Sequence, residues 1–465
     1  MDDTHSHPAL CRSAITGIEW PAIPGQSAAL MLSMLDQLEA TQWWTAAELY
    51  QHQMRQVQSL IHHAVTHVPF YGGGEGETPT TPAADSMPDC KDWAKLPVLT
   101  RVEVQNNYDA LRSRQVPEAH GTVTDVNSSG STGRPVTVRT TRLARMFAAI
   151  SGLRAHRWHD RDLSGKLALI HIDREERAVY PDGLAQPGWG WPASHIYRTG
   201  PAAMLTLRTP IADQVEWLQR QNPDYLLSCP SNLLVLAEYF SDHGIALPRL
   251  RGVATIMEVV TPELRDACRR AWGLPVVDMY TTKEAGAIAL QCPEHEHYHV
   301  MAEDVLVEVL DEDGSPCHPG EVGRVVVTPL HNYAMPLLRY EIGDYAEVGA
   351  PCSCGRGLPV LNRILGRVRN MLILPDGTRY WPSVKRRKLV ENFPVTQHQL
   401  VQKDPGTLEF RLVTARALTV GEQNEIRTLI LERLPCPFDI AIKRVDRIER
   451  GPGGKFEDFY SEIAR

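Results

Sequence analysis

Residues 127–135 read NSSGSTGRP, a loop with two glycines among four hydroxyl side chains. Gly130 and Gly133 allow the backbone to come close to a ligand or to adopt positive φ angles. Backbone N–H groups and hydroxyls in such a loop can converge on phosphate oxygens, and Arg134 adds a positive charge. The stretch lacks the Gly-Lys-Ser/Thr ending of a P-loop, so the two interpretations are a different kind of phosphate loop and a flexible polar turn between strands.

The chain on the N-terminal side of this loop has a helical pattern. Apolar residues recur at spacings of three and four from Met54 to Val68, and Pro69 then interrupts the pattern. This spacing places the apolar side chains on one helical face and predicts a helix over residues 30–68.

Short β-like runs alternate with helical segments on the C-terminal side of the loop. The runs KLALIHI (166–172), GVATI (252–256) and PVVDM (275–279) are separated by helical patterns such as residues 262–272. Alternation of this kind predicts a parallel sheet with crossover helices. The later runs EDVLVEVL and GRVVVTPL flank a DEDG turn, which predicts antiparallel hairpins.

The last hundred residues differ from this body. They contain the strand-like run TLEFRLV, the helical run EQNEIRTLILERL and the strand-like run FDIAIKRV. We therefore expect an α/β fold in two domains. A large N-terminal body of mixed sheets with helices would span residues 1–366, and a small, mobile α+β C-terminal lid domain would span residues 367–465.

The composition excludes several classes of protein. The 465 residues are 43% hydrophobic and 22% charged, so the chain can bury a large core. Lys and Arg number 48 against 56 Asp and Glu, and the net charge of −8 argues against a nucleic-acid partner. No run of about 18 apolar residues is present, which argues against a membrane span. The N-terminus lacks the apolar core of a signal peptide, and nine cysteines are too few for a disulfide scaffold, so we expect a cytoplasmic protein.

Several motifs, taken in order, resemble the adenylate-forming superfamily of acyl-CoA synthetases and adenylation domains. The resemblance is strongest to its phenylacetate-CoA ligase branch. SSGSTGRP (128–135) is similar to the nucleotide loop of that superfamily. HVPFY (67–71), LPVLTRVEV (96–104) and PDYLLSCPSNLLVLA (223–237) resemble further landmarks of the branch. The resemblance covers essentially the whole chain and implies the two-domain fold and ATP-dependent chemistry of that family.

The resemblance implies a nucleotide site built from several segments. The loop would hold the phosphates of ATP through Ser128, Ser129, Gly130, Ser131, Thr132, Gly133 and Arg134. DMYTTKEA (278–285) is similar to the family's Tyr-Gly-x-Ser/Thr-Glu motif, so Tyr280 would stack on adenine and Glu284 would hold Mg²⁺. This chain has Thr281 in place of the glycine and Lys283 in place of the hydroxyl residue. The lysine either supplies a charge to the phosphates or is simply solvated.

Three later positions complete the implied site. RYEIGDY (339–345) resembles the family's Tyr-x-x-Gly-Asp segment, so Asp344 would accept hydrogen bonds from the ribose hydroxyls. Arg367, in the Gly-Arg pair that follows, would reach ribose or phosphate. RIERGPGGKF (447–456) resembles the C-terminal Gly-Lys loop, and Lys455 would bridge the substrate carboxylate and the α-phosphate when the lid closes. The alternative for this lysine is an exposed side chain in a mobile tail.

A group of cysteines and histidines predicts a metal site. Residues 352–354 form a tight Cys-x-Cys pair, and Cys292 lies upstream with three histidines close behind it. Such residues can form a tetrahedral, structural zinc site, whereas the alternative is a set of free cysteines and surface histidines. In some members of the resembled branch a Cys-x₆-His element, matched here by Cys292 and His299, contributes to a zinc site. The ligand set implied by the resemblance is Cys292, His299, Cys352 and Cys354, and His295 and His297 are alternatives to His299.

The implied activity is the activation of a small carboxylic acid by ATP and Mg²⁺, followed by transfer of the acyl group to CoA. Residues 374–382 (LPDGTRYWP) replace the glycine-rich segment that lines the CoA route in the family, so an amine or a carrier protein stays open as the acceptor. A catalytically inactive nucleotide-binding homologue is the alternative of another class. The substitutions Thr281, Lys283 and Arg369 motivate it.

The acid itself is expected to lie against aromatic side chains. The candidate lining residues are Trp189, Trp191, His171 and Tyr197. An aromatic pocket would favour an aryl acid, although such residues also serve as ordinary core. Glu258 stands where the family has a Gly-Glu pair, with Met257 in place of the glycine, and is a further candidate near the acyl or adenine pocket. Because dimers are frequent in the resembled branch, a homodimer is a candidate oligomeric state.

Overall fold

The computed structural model describes residues 10–72, 90–128, 135–382, 386–451 and 455–463, with the side chains of residues 90–92 left aside. The chain forms two compact units. The first comprises Met1–Ile342 and Ala346–Ile364, and the second comprises Gly343–Tyr345 and Leu365–Arg465. Six predicted loop residues lie outside the described residues: Ser129, Gly130, Ser131, Thr132, Gly133 and Arg134.

Two helices form at the N-terminus where the spacing predicted one. They are α1 (Gln26–Thr41) and α2 (Ala46–His67). The second starts at a capping box, because the Thr45 hydroxyl accepts a hydrogen bond from the Glu48 N–H and the Glu48 carboxylate accepts one from the Thr45 N–H. A local side-chain signal therefore divides a stretch whose apolar spacing looks continuous.

The remaining helices of the first unit are short or of medium length. They are α3 (Cys90–Lys95), α4 (Arg101–Asn106), α5 (Tyr108–Leu111), α6 (Arg142–Trp158), α7 (Ala193–Ile196), α8 (Ile211–Gln221), α9 (Pro230–Asp242) and α10 (Pro262–Trp272). The strands that begin in this unit are β1 (Val123–Asn127), β2 (Thr137–Thr141), β3 (Leu167–His171), β4 (Leu184–Gln186), β5 (Ala202–Thr206), β6 (Tyr225–Ser228), β7 (Gly252–Thr255), β8 (Val276–Thr282), β9 (Gly286–Gln291), β10 (Tyr298–Val300), β11 (Val305–Leu310), β12 (Val322–Pro329), β13 (Tyr340–Val348) and β14 (Val360–Arg367).

Most of these strands join one mixed sheet. Its order is β11-β12-β13-β14-β10-β9-β8-β7-β6-β3-β5-β4. Strands β8, β7, β6, β3 and β5 run parallel to one another, whereas β9 pairs antiparallel with both β8 and β10. The predicted α/β class, with a parallel part followed by antiparallel strands, is confirmed. The parallel strands bring their carboxyl ends to one edge of the sheet, which is where open α/β sheets form ligand crevices.

Helices α8, α9 and α10 contribute to the core of the parallel part. Trp217, Phe240 and Cys268 from these helices are fully buried with Ile170, Leu226 and other strand residues. A second core lies between α2 and the antiparallel strands, where Val57 and Leu60 join Ile288 and Val327. These two cores hold the strand ends that carry the predicted site residues.

The second unit has its own sheet and core. Its elements are β15 (Leu372–Ile373), β16 (Arg379–Tyr380), α11 (Arg386–Asn392), β17 (Val395–Asp404), β18 (Thr407–Thr414), α12 (Val420–Leu431), β19 (Asp439–Arg444) and β20 (Phe459–Ser461). The sheet order is β19-β18-β17-β20, and Leu400, Phe410 and Ile426 are fully buried between sheet and helices. Over the described parts of both units, no helix has the length and apolar character needed to cross a membrane.

Candidate active site

The base of the predicted phosphate loop is closed by hydrogen bonds at Ser128. Strands β1 and β2 pair so that Asn127 faces Thr137, and the Thr137 hydroxyl donates to Oδ1 of Asn127 at 2.7 Å. The backbone N–H of Ser128 donates to the carbonyl oxygen of Val136, and Oγ of Ser128 accepts from the Val136 N–H, each at 2.8 Å. The two ends of the loop are therefore held side by side.

Arg101 connects this loop base to Glu284. Its Nη2 atom donates to Oγ of Ser128 at 3.2 Å, and its Nη1 atom lies 3.7 Å from Oε1 of Glu284. The Arg101 side chain is 20% exposed and that of Glu284 is 8% exposed. Two segments more than 150 residues apart, one predicted to hold the nucleotide phosphates and the other to hold Mg²⁺, thus meet around one guanidinium group.

A capping box positions Arg101. The Thr100 hydroxyl accepts from the Glu103 N–H, and the Glu103 carboxylate accepts from the Thr100 N–H at 2.7 Å. This arrangement begins α4 at Arg101. No sequence pattern marks Arg101 as a site residue, because an arginine in a first helical turn carries no signal of its own. The Thr-x-x-Glu pattern around it predicts the helix start, but does not predict the contacts with Ser128 and Glu284.

The turn that carries Glu284 joins β8 to β9. Tyr280 is buried on β8 opposite Ala289, and the strand pairing is irregular between Tyr280 and Thr281. Gly286 has a φ angle of +76°, and a Cβ atom there would lie 2.9 Å from Cβ of Ala148, so this position requires glycine. A bulge of this kind re-aims the side chains that follow it.

The neighbouring strand end carries Glu258. Its Oε2 atom accepts a hydrogen bond of 2.9 Å from the backbone N–H of Ser231, in the first turn of α9. Met257, just before it, has a φ angle of +83°, a backbone conformation that is strained for any residue other than glycine. Met257, which stands in place of the glycine of the resembled motif, therefore has a backbone conformation that glycine adopts without strain.

The four aromatic candidates for the acid pocket lie in different places. His171 ends β3, at the carboxyl edge of the parallel sheet. Trp189 lies at the opposite edge, where its Nε1 donates to the carbonyl oxygen of Gly165 and its ring packs against Tyr225, the first residue of β6. Trp191 is exposed, and Tyr197 is buried in the cluster that contains α1 and α6 residues. Of the four, the structure brings His171 to the edge where Tyr280 lies.

The other three predicted nucleotide residues belong to the second unit. Asp344 and Arg367 form an ion pair, with Oδ1 and Nε 3.6 Å apart, and Gly343 before Asp344 has a φ angle of +84°. Lys455 is half-buried, and its carbonyl oxygen accepts a 2.9 Å hydrogen bond from the Gly451 N–H.

Lys455 lies close enough to Glu457 for their charges to interact. Burial raises the pKa of the Glu457 carboxyl, while the positive charges of Arg369, Arg367 and Lys455 act in the opposite direction. Arg369 contributes most directly, because its Nη2 lies 2.6 Å from Oε2 of Glu457. The end of the second unit is therefore a region of positive charge around one half-buried carboxyl.

A group of two cysteines and two histidines lies beside β9 and β10. We call it the Cys/His cluster: Cys292, His297, His299 and Cys352, whose donor atoms all lie within 4.8 Å of one another. The Sγ atoms of Cys292 and Cys352 are 3.9 Å apart, and Nε2 of His297 is 3.0 Å from Sγ of Cys352. Cys354, the fourth predicted ligand, does not belong to this group, although its Sγ is 3.4 Å from Nε2 of His299. His295 instead faces Ser353, 2.9 Å from its hydroxyl.

The donor set of the Cys/His cluster fits a zinc ion. Zinc bonds of about 2.0–2.3 Å in a tetrahedron place neighbouring donors roughly 3.3–3.8 Å apart, close to the separations observed. Burial lowers the pKa of His299 to about 4, so its imidazole is neutral and can donate a lone pair. Burial also raises the pKa of Cys352 to about 12, so that the thiol stays protonated until a metal displaces the proton.

Known proteins resemble the chain over most of its length. The phenylacetate-coenzyme A ligase of Thermus thermophilus is 26% identical over 378 residues, which are 77% of this chain and 79% of the relative. The phenylacetate-coenzyme A ligase of Escherichia coli is 25% identical over 439 residues, which are 87% of this chain and 93% of the relative. The crystal structure of 2-hydroxyisobutyryl-CoA ligase in the postadenylation state matches with a TM-score of 0.68 at 18% identity, over 90% of this chain and 91% of that one.

No protein-family model matches the chain. The relatives nevertheless span more than three quarters of it, and the structural match extends over both units. The chain therefore resembles phenylacetate-coenzyme A ligases over most of its length, and it shares its fold with 2-hydroxyisobutyryl-CoA ligase.

Proposed function

We propose that the protein is an ATP- and Mg²⁺-dependent ligase that converts a carboxylic acid into an acyl-adenylate and then into a CoA thioester. The observation that supports this proposal most directly is the contact of Arg101 with both Ser128 and Glu284. The Arg101 guanidinium places one positive charge between the loop base and Glu284, and the proposed function requires both of these segments to bind MgATP. The likeness to two curated phenylacetate-coenzyme A ligases supports CoA as the acceptor.

In the first half-reaction a carboxylate oxygen attacks the α-phosphorus of ATP. A new oxygen–phosphorus bond forms, the bond from the α-phosphorus to the bridging oxygen breaks, and pyrophosphate leaves. Both reactants are anions, so the protein must hold them in line and neutralise the charge that develops on the phosphate oxygens. In the proposal this charge is met by Arg101, by Arg134 of the loop and by Lys455 of the second unit.

The remaining nucleotide contacts follow from the chemistry of each group. Tyr280 offers a ring for the adenine base, Asp344 offers acceptors for the ribose hydroxyls, and Arg367 offers a charge to ribose or phosphate. The buried carboxylate of Glu284 suits Mg²⁺, which binds proteins through one or two carboxylates and takes its other ligands from phosphates and water. Bound there, Mg²⁺ would neutralise phosphate charge.

In the second half-reaction the thiol sulfur of CoA attacks the carbonyl carbon of the adenylate. A carbon–sulfur bond forms, the carbon–oxygen bond to AMP breaks, and the thiol proton is released. We propose a small aryl acid as the substrate class, because the curated relatives are phenylacetate-coenzyme A ligases. The lid role of the second unit and a homodimeric assembly remain predictions from the family resemblance.

The Cys/His cluster would hold a structural zinc ion. Four protein donors fill a tetrahedral coordination shell and leave no position open for a reacting water. The ion would join the Cys352 loop to the strands that follow Glu284. None of the cysteines that the structure describes forms a disulfide bond, which agrees with a reducing cytoplasmic location.

The test is ATP–pyrophosphate exchange across a panel of acids that includes phenylacetate, substituted benzoates and short hydroxy acids. We expect exchange with at least one aryl acid, and thioester formation when CoA is added. Parallel reactions with hydroxylamine and with a phosphopantetheinylated carrier protein separate CoA from other acceptors. Absence of exchange with every acid, in protein that contains its metal and is supplied with Mg²⁺, would refute the proposal.

A further inference from the structure

Four buried polar side chains form a row across the sheet behind the candidate site. Thr255 on β7, Asp278 on β8, Gln291 on β9 and Tyr298 on β10 are each less than 10% exposed. The strand register places Thr255 opposite Asp278 and Tyr298 opposite Gln291. We call these four residues the polar row. The family resemblance assigns none of them a role in substrate binding, so the row requires its own explanation.

Asp278 is the centre of the polar row. Its Oδ1 accepts a 2.7 Å hydrogen bond from the Thr255 hydroxyl, and its Oδ2 accepts a 2.8 Å hydrogen bond from the Tyr298 hydroxyl. Its backbone N–H donates to Oε1 of Gln291 at 3.1 Å. One carboxylate therefore links β8 to β7 on one side and to β10 on the other, while the backbone N–H of Asp278 bonds the side chain of Gln291 on the intervening β9.

Arg265 of α10 completes the hydrogen bonding of the row. Its Nη2 donates to Oε1 of Gln291 at 3.2 Å, and its Nη1 donates to the carbonyl oxygen of Val276 at 3.0 Å. Nε2 of Gln291 donates to the same carbonyl oxygen at 3.1 Å. A buried network of this kind is rigid while it is complete, and it becomes costly when one partner is removed.

The polar row lies directly beside two features of the first unit, namely the strand that carries Tyr280 and the Cys/His cluster. Asp278 is two residues before Tyr280 on the same face of β8, and the strand pairing becomes irregular just after Tyr280. Tyr298 stands between His297 and His299, and Gln291 immediately precedes Cys292. The row thus fixes the last regular part of β8 before the bulge and the turn that carries Glu284.

We propose that Asp278 and Tyr298 are positioning residues for nucleotide binding. Their hydrogen bond ties β8 to β10 across the intervening strand β9, next to His297 and His299 of the Cys/His cluster, and so sets the positions of Tyr280 and Glu284. The proposal rests on the proposed function, since it assumes that Tyr280 and Glu284 contact MgATP. It predicts that weakening the row lowers the affinity for MgATP, while the metal content and the fold are retained.

The test compares tyrosine variants at the two edges of the sheet. Tyr298→Phe removes the hydroxyl that donates to Asp278. The control Tyr225→Phe removes another buried hydroxyl, which accepts a 2.8 Å hydrogen bond from the Asp162 N–H at the amino end of β6. We expect Tyr298→Phe to raise the dissociation constant of MgATP about five- to tenfold, the effect of one lost hydrogen bond, and the control to leave it within about twofold.

A second pair of variants keeps the test independent of one substitution. Thr255→Val removes the other side-chain donor to Asp278 at nearly constant volume, and Thr255→Ser keeps it. We expect the valine variant to weaken MgATP binding and the serine variant to restore it. Isothermal titration calorimetry gives the dissociation constants, and elemental analysis gives the zinc content of the same preparations.

The outcomes separate this proposal from the proposed function. Equal MgATP affinity in Tyr298→Phe and Tyr225→Phe would overturn the positioning role, as would a loss of zinc in step with the loss of affinity. If the wild-type protein binds MgATP but exchanges pyrophosphate with no acid, the proposed function fails and the affinity comparison still decides the role of the row. A wild-type protein that does not bind MgATP would overturn both.

Discussion

The Nη1 atom of Arg101 lies 3.7 Å from Oε1 of Glu284, while the Nη2 atom of the same guanidinium is hydrogen-bonded to Oγ of Ser128. Both side chains are mostly buried, so solvent screens this pair less than an ion pair on the surface. The arrangement places a fixed positive charge between the loop base and the proposed Mg²⁺ ligand. It also keeps the Glu284 carboxylate oriented before any nucleotide binds.

We expect Arg101→Met to lower the rate of acid-dependent pyrophosphate exchange by roughly a hundredfold, the usual cost of removing one preorganised group that stabilises developing charge. Arg101→Lys keeps a charge but cannot reach Ser128 and Glu284 in the same forked geometry, so it should recover only part of the rate. The measurement is the initial rate of exchange at saturating acid over a range of ATP concentrations.

Arg112→Met is the matched control for this change. Arg112 lies shortly after α5, and its Nη1 pairs with Oδ1 of Asp109 at 2.9 Å in a more exposed position. We expect exchange and thermal stability close to wild type. If Arg101→Met and Arg112→Met exchange equally well, the Arg101 guanidinium does not take part in adenylation.

The sequence predicted the class of the fold better than the contacts within it. Alternating runs indicated the parallel strands, and the Cys-x₆-His element indicated that Cys292 and His299 would lie together, as they do in the Cys/His cluster. A capping box at Thr45 explains why the predicted N-terminal helix forms as two helices. His297 lies in the Cys/His cluster together with His299, whereas the sequence offered it only as an alternative to His299. The contact of Arg101 with Glu284 depends on how distant segments pack, and no single segment encodes it.

Lys455→Ala should lower adenylation by roughly a hundredfold and leave the fold unchanged, because the side chain is half-buried and its proposed role is to neutralise charge on the α-phosphate. The measurement is pyrophosphate release together with thermal unfolding. Lys443→Ala is the control, since Lys443 is largely exposed and its Nζ lies 3.8 Å from Oε2 of Glu409. Adenylation by Lys455→Ala at the rate of Lys443→Ala would remove Lys455 from the mechanism.

Cys352→Ser should reduce the zinc content from about one ion per chain to almost none, because the Cys352 thiol is close to both Cys292 and His297. We also expect a lower unfolding temperature, since the ion would join the Cys352 loop to the strands beside the site. Elemental analysis and calorimetry measure the two effects. Cys317→Ser changes a half-buried thiol outside the Cys/His cluster and should retain the metal.

The choice between His297 and Cys354 as a zinc ligand is open to a direct comparison. The donor geometry favours His297, whose Nε2 lies 3.0 Å from Sγ of Cys352. We therefore expect His297→Gln to weaken zinc binding much more than Cys354→Ser does, as measured by competition with a chelator. The opposite order would favour the Cys₃His set that the family resemblance implies.

The pH dependence of stability in the second unit should come in large part from His398. This residue is 5% exposed on β17, and it is the only histidine in the sequence from residue 365 to residue 465. Burial, together with the charge of Arg386, lowers its pKa to about 3, whereas an unfolded histidine has a pKa of about 6.5. Between these two values the unfolded chain binds a proton that the folded unit does not bind. Acid therefore favours unfolding, and the free energy of unfolding should fall by up to about 1.4 kcal/mol for each pH unit below about 6.

His398→Leu should remove this contribution, because the unfolded chain then has no proton to gain at that position. The unfolding free energy of the second unit is measured by pulse proteolysis in urea from pH 4.5 to 7.5. We expect its slope against pH to be smaller in the variant than in the wild type, by the amount that corresponds to the uptake of about one proton on unfolding. The slope is the decisive quantity, since leucine also changes the packing against Phe410 and so shifts the stability at every pH. His318→Leu, which changes an exposed histidine of the first unit, should leave the slope as it is. An unaltered slope in His398→Leu would mean that the imidazole is protonated in the folded unit, which requires water or an acceptor to reach it within the core.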